Sequence, residues 1–223
     1  MIYIASTWVL PVLIAITLHE AAHGFVAHWL GDDTAWRLGR VSLNPLKHID
    51  LFGTIVMPAV LLLVRAPFLF GYAKPVPVNF GALRHPRRDM VLVAAAGPST
   101  NIVLATVAAL LLRVVSYLPP DAAVWTAQNL KNAVIINVVL AVFNMLPLPP
   151  LDGGRIAVGL LPGLLGRLLA RLEPYGMLIL LTLHLFLPLL SAQMGVDLNL
   201  VSRLITGPTE AILRAILRVS RNG

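Results

Sequence analysis

His19 and His23 stand four residues apart with Glu20 beside the first of them, in the run Thr17–Trp29, TLHEAAHGFVAHW. On a helix of about 3.6 residues per turn this spacing leaves the two imidazoles about 40° apart, so both face one way. Glu20 lies about 100° from His19, near enough to reach a water on a metal without ligating the metal itself. H-E-x-x-H is therefore the pattern of a zinc hydrolase helix, with two ligands, an open position and a general base. His28 lies about 140° around from His23. It also misses the longer H-E-x-x-H-x-x-G-x-x-H spacing, and is not counted as a ligand.

The same four-residue pattern occurs by chance in helices that hold no metal, so its setting matters. The residues before it, YIASTWVLPVLIAI, read as the inside of a membrane. An ionisable side chain in hydrocarbon costs at least roughly 2.5–3.5 kcal/mol on insertion scales, and three on one turn need compensation. Metal ligation supplies it.

A third ligand has to come from elsewhere. The chain has no cysteine, which leaves His, Asp and Glu and excludes disulfides and thiol nucleophiles. Candidates in or beside apolar segments are Asp152, His48, Asp50, His85, Asp89, His184 and Glu173. Asp152 follows an apolar run in NMLPLPPLDGG, where the prolines enforce an extended chain and the glycines allow a tight turn or a helix start. Capping a helix there and ligating a metal are compatible roles.

The elements that would carry these residues are apolar. Of 223 residues 58% are hydrophobic and 12% charged, with mean hydropathy +0.84, against roughly 25% charged in soluble domains. The expected class is an all-α polytopic membrane protein forming one membrane-embedded domain over 1–223, with a core at about 4–155 and C-terminal elements at about 156–223. Spans are expected at Ile4–Leu30, Met90–Leu112, about Asn132–Leu146 and about Tyr175–Leu190. Leu51–Val64 is short, which suggests a re-entrant segment or a tilted span. Phe70–Phe80, with alternating Val and Pro, reads as an extended edge or loop beside the membrane. Ile156–Leu172 reads as an interfacial helix and Leu198–Arg221 as a surface-lying amphipathic one. The N-terminus has no basic region or clear cleavage site and is not read as a removed signal peptide.

The formal charge of +7 falls between the apolar segments, as positive-inside loops do, rather than as a nucleic-acid footprint. Arg37, Arg40 and Lys47 follow the first span, which orients it from outside to cytoplasm. The Asp152 loop, Arg155, Arg167 and Arg171 are then also cytoplasmic, in a prokaryotic cell membrane.

Residues Asn144–Gly153 read N-x-x-P-x-P-x-L-D-G, and together with HEAAH at 19–23 they resemble both motifs of the site-2 protease family of intramembrane zinc metalloproteases (peptidase M50-like). Ala96–Asn101, AGPSTN, is a third family-like element. The resemblance implies one zinc ion held by His19, His23 and Asp152 with water in the fourth position, and Glu20 as general base and acid. It implies that Asn144 places the substrate or stabilises an oxyanion, with Asn101 serving substrate positioning or helix packing. It also implies a core of three transmembrane helices carrying the site, with one or two further spans and a membrane-edge β element that clamps an extended substrate by β-addition. About 14 residues, Ser116–Asn129, separate the second and third spans, too few for a PDZ domain, so the chain resembles a minimal form without PDZ or CBS domain.

The expected activity is regulated intramembrane proteolysis, the hydrolysis of peptide bonds in membrane-spanning substrates within a lipid bilayer. Two rivals are a zinc protein that binds substrates without cutting them and a metal transporter. Glu20 argues against the first, and the scarcity of further ionisable residues in the spans against the second.

Overall fold

The structure is a computed structural model that describes residues 2–63, 73–183 and 200–221. Helix α1, Ile2–Trp29, runs through the first apolar stretch and ends at Gly31, whose φ of 110° suits a residue without Cβ. A short α2, Thr34–Arg37, follows. The segment after it forms a wide-turned stretch over Leu51–Val56 that runs into α3, Met57–Leu63. Helix α4, Pro86–Leu111, continues as a 3-10 stretch to Tyr117, and α5 covers Pro120–Asn144. Three short helices come next: α6, Asp152–Leu160, α7, Gly163–Ala170, and α8, Glu173–Leu181. The last, α9, is Leu200–Arg221.

Three helical stretches, Ser6–Trp29, Pro86–Tyr117 and Pro120–Asn144, are long and apolar enough to cross a membrane. They are the three spans expected of the core, and α4 packs against α1, α5 and α6 while α1 also packs against α5. The third begins twelve residues before Asn132, so Leu118 and Pro119 alone lie between helical stretches where a loop of about 14 residues was expected. Two polar residues near the expected boundary are turned inward. Asn132 Nδ2 donates to Thr7 O at 2.8 Å, Asn129 Nδ2 donates to Trp125 O at 3.0 Å, and both asparagines are buried. The Asn132 amide thus bonds α5 to α1 away from water, while that of Asn129 bonds back within α5.

Beyond this core, Ile156–Leu172 falls into α6 and α7 rather than one helix, because Pro162 interrupts it. The amphipathic α9 forms, but it lays Ile205, Ile212 and Ile216 against Ala105, Ala108, Val134 and Val138 of α4 and α5, so its apolar face packs on protein. Alanines at that seam let backbones approach closely. The expected fourth span is described only to residue 183, as α8 and the turn after it. His184 and residues 70–72 lie outside the described residues.

Among the described residues there is no strand. Residues 73–79 form an irregular extended strap, and Pro75 and Pro77 lack the N–H groups a ladder needs. Three of the N–H groups that remain are bonded elsewhere: Lys74 to His48 O at 2.9 Å, Val76 to Glu20 Oε2 at 2.8 Å and Asn79 to Asp32 Oδ2 at 2.6 Å. The strap is thus tied to α1 and the loop after it rather than to a neighbouring strand.

Candidate metal centre

Helix α1 presents His19 and His23 toward α4, which supplies a partner for each. His19 Nδ1 donates to Asn101 Oδ1 at 2.6 Å, and His23 Nδ1 donates to Val93 O at 2.7 Å. Both partners accept, so the hydrogen of each ring sits on Nδ1 and leaves Nε2 with a free lone pair. Between them, Gly97 is what permits the contact. A Cβ there would stand 2.5 Å from His19 Cε1 and 2.5 Å from His23 Nε2. Val93, Gly97 and Asn101 are spaced four residues apart, one face of α4 set against the His19–His23 face of α1. Asn101 is itself held, its Nδ2 donating to Asn137 Oδ1 of α5 at 2.8 Å and to Ala15 O at 3.3 Å.

Asp152 arrives from the far side, at the first position of α6, with Leu151 rather than Asp152 in the capping position. The glycines after it let the proline loop press directly on the helix start. A Cβ on Gly153 would collide with Met145 O, and one on Gly154 with Pro149 N. The carboxylate therefore reaches the imidazoles: Oδ2 is 3.2 Å from His19 Nε2 and Oδ1 is 3.4 Å from His23 Nε2. The two Nε2 atoms are 3.1 Å apart. All three residues are buried, and Asp152 Oδ2 has no hydrogen-bond donor. Burial alone would push the Asp152 carboxyl up. Where no metal takes the Nε2 lone pairs, the imidazoles against it, as proton donors through Nε2 and by charge, hold it below the ordinary value, at about 2.

These distances fit a metal. Ligands about 2.0–2.1 Å from a tetrahedral zinc stand about 3.3 Å from one another, close to the 3.1, 3.2 and 3.4 Å seen here. Two lone pairs facing a carboxylate in a buried site have no other shared partner, and a divalent cation satisfies all three. Among the described residues this is the one group of three such side chains.

The remaining candidates go elsewhere. His48 donates through Nε2 to Ser42 O, 2.8 Å away, Asp50 accepts from Gly53 N at 2.7 Å, and Asp89 accepts from His85 N at 2.7 Å. Glu173 meets Arg155 at 3.2 Å. His28 pairs with Asp33 at 2.7 Å and stacks on Trp36. Glu20 borders a cavity of about 290 Å³ together with His19, His23, Asp152 and Asn144. Asn144 donates to Leu140 O of its own helix at 3.0 Å. Asn101 is fully buried behind His19 and lines neither cavity beside Glu20. Val93 and Gly97 carry no side-chain chemistry and were not singled out in the sequence, although Gly97 stands inside AGPSTN.

Comparison with known proteins points the same way. Residues 114–187 match the family model described as Peptidase family M50. The chain is 40% identical over 179 residues to a Bacillus subtilis protein named "Putative zinc metalloprotease YwhC", covering 78% of each chain. It is 30% identical over 172 residues to "Putative zinc metalloprotease Rip2" of Mycolicibacterium smegmatis, covering 77% of this chain and 63% of the relative. A Mycobacterium tuberculosis protein of the same name is 28% identical over 141 residues, covering 63% of this chain and 52% of the relative. No solved structure matches.

Proposed function

This chain belongs to peptidase family M50, the zinc metalloprotease family of the site-2 proteases, and from that premise we propose that it is an intramembrane endopeptidase. Its substrates are membrane-spanning proteins, and residues 1–223 act as one membrane-embedded protease domain. The observation that carries this reading is the convergence of His19, His23 and Asp152 at 3.1–3.4 Å on a helix fit to cross a membrane, with Glu20 in the same cavity.

Zinc bound there supplies Lewis acidity, polarising a carbonyl and lowering the pKa of a water to about 7. His19, His23 and Asp152 hold the ion, and Asn101 and the Val93 carbonyl fix the direction of the two rings. The Val76 N–H, on Glu20 Oε2, fixes the carboxylate so that its other oxygen takes the proton of the attacking water. Glu20 returns that proton to the amide nitrogen as the C–N bond breaks. Asn144, at the cavity wall, offers its amide to the substrate carbonyl. A transmembrane helix must unwind locally before its peptide bonds reach this site, since intact helical amides are already bonded.

Basic residues support a cytoplasmic location for the site. Arg84 N bonds Leu30 O at the end of α1, and Arg87 bonds Gly159 O, so Arg37, Arg84, Arg87 and Arg155 share one end of the bundle. His19 lies about 15 Å from Trp29 along the helix, submerged but not central.

The test is cleavage of a single-span substrate by purified protein, wild type against Glu20→Gln, with and without a zinc chelator. Loss of cleavage in both arms with zinc retained by Glu20→Gln is expected. Equal cleavage by Glu20→Gln sinks the mechanism.

A further inference from the structure

The reacting centre lies at a neck between two chambers, both largely apolar, of which the second alone carries a Lys or Arg side chain among the described residues. One, of about 180 Å³, is walled by Ile16, Leu140, Phe143, Leu151 and Leu180. The other, of about 290 Å³, holds Val76, Phe80, His23, Asp152 and Arg155. His19, Glu20, Ala73, Asn144 and Met177 border both, forming the neck.

The order along α1 gives the chambers a direction. Ile16 faces the first, His19 and Glu20 the neck, His23 the second. Seven residues of helix advance about 10 Å, which an extended chain at about 3.3 Å per residue covers in about three residues. A peptide drawn through the neck therefore places one side chain toward the bundle interior and another, about three residues along, toward the basic end.

Each chamber selects. An apolar cavity of about 150 Å³ lined by Leu, Ile and Phe already takes up benzene, so the first accommodates a Leu- or Phe-sized side chain. In the second, Arg155 is the one Lys or Arg side chain lining either chamber among the described residues. It lies one turn beyond Asp152 on α6, its guanidinium 5.3 Å over the Phe80 ring, and its Nε is buried without a partner. Its pairing with Glu173 at 3.2 Å is between side chains 31% and 47% exposed. Such a pair contributes little and is readily exchanged for another carboxylate.

Resting on the protease reading above, we propose that this chain reads its substrate on both flanks of the cleaved bond. A large apolar side chain fills the Ile16–Leu180 chamber, and an acidic side chain about three residues away faces Arg155. The substrate class is thus a membrane protein whose apolar segment gives way to an acidic residue at its cytoplasmic end.

Single-span peptides varied at the two flanking positions test this with the full chain in lipid nanodiscs, the cleaved bond being located by mass spectrometry. Replacing Leu or Phe by Ala at the first position should lower kcat/KM about tenfold or more, and Asp by Lys at the second should do likewise. Arg155→Glu should reverse the second preference. Leu140→Trp, or Ile16→Phe should that variant misfold, should shift the first toward Ala, with wild-type zinc content showing that the site is intact. Binding of the same peptides to Glu20→Gln should rank them identically without turnover. A wild type that cuts none of them refutes the protease reading, while the binding ranks still decide this one. Cleavage and binding indifferent to both positions, or a preference untouched by Arg155→Glu, overturns it.

Discussion

Asn101 accepts a 2.6 Å hydrogen bond from the Nδ1 of His19, 82 residues away in sequence, and thereby aims the opposite nitrogen at Asp152. The bond joins two apolar helices at a buried point where no water competes. Because Asn101 also donates to Asn137 and Ala15, the ring is fixed by α1, α4 and α5 together.

Asn101→Leu keeps the branched shape and removes the acceptor. Zinc affinity should fall about 10- to 100-fold, the range usual for loss of such an outer partner. Competition with a graded chelator measures it. Unchanged affinity would show that the Asn101 contact is packing alone.

Gly97→Ala should be worse than its size suggests. The added methyl meets both imidazoles at 2.5 Å, so either the rings or α4 must move, at about 1–3 kcal/mol for overpacking. A lower Tm together with lost zinc is expected. Loss of stability with full zinc occupancy would mean that α4 yields and the rings stay.

The strap makes a separate prediction. Val76→Pro deletes the N–H on Glu20, while Val76→Ala retains it. If that bond positions the carboxylate, kcat should drop several-fold more for Pro than for Ala, with similar zinc content. Equal losses for the two would assign the effect to packing of the strap.

The metal-free site should show an acid signature. The Asp152 carboxyl is lowered from 3.8 to about 2. A group depressed on folding stabilises above its unfolded pKa and ceases to do so as pH falls through the folded one. Chelator-treated protein should therefore keep this contribution above about pH 4 and lose it toward about pH 2, on the order of 2 kcal/mol. Melting of wild type and Asp152→Asn should converge over that range. Curves that stay parallel would argue against the paired carboxylate.

Much of the site was legible because its signals are local. His19, Glu20 and His23 share a turn, and a spacing of four on a helix fixes their mutual direction without any tertiary knowledge. Asp152 was one candidate among several on chemistry, and the proline-glycine pattern around it carried the resemblance that favoured it. The third span reads as starting near Asn132, whereas its helix starts at Pro120. Hydropathy alone does not say how far a helix continues through polar residues whose amides find partners inside the protein. The strap's prolines ruled out regular pairing, but not where its remaining N–H groups would go.

The sequence by itself determined the apolar, helical class, the approximate places of the three core helices and the ligand types, since hydropathy and periodicity follow from residue identity. The tertiary structure alone decided which carboxylate meets the histidines, that Asn101 bonds the His19 ring, and that Glu20 is tied to Val76. Those contacts depend on how α1, α4 and α6 approach. They involve a backbone carbonyl at Val93 and a backbone N–H at Val76, groups that nearly every residue type has in common, and the absent Cβ of Gly97, which any glycine offers. Only their placement in space gives them a function.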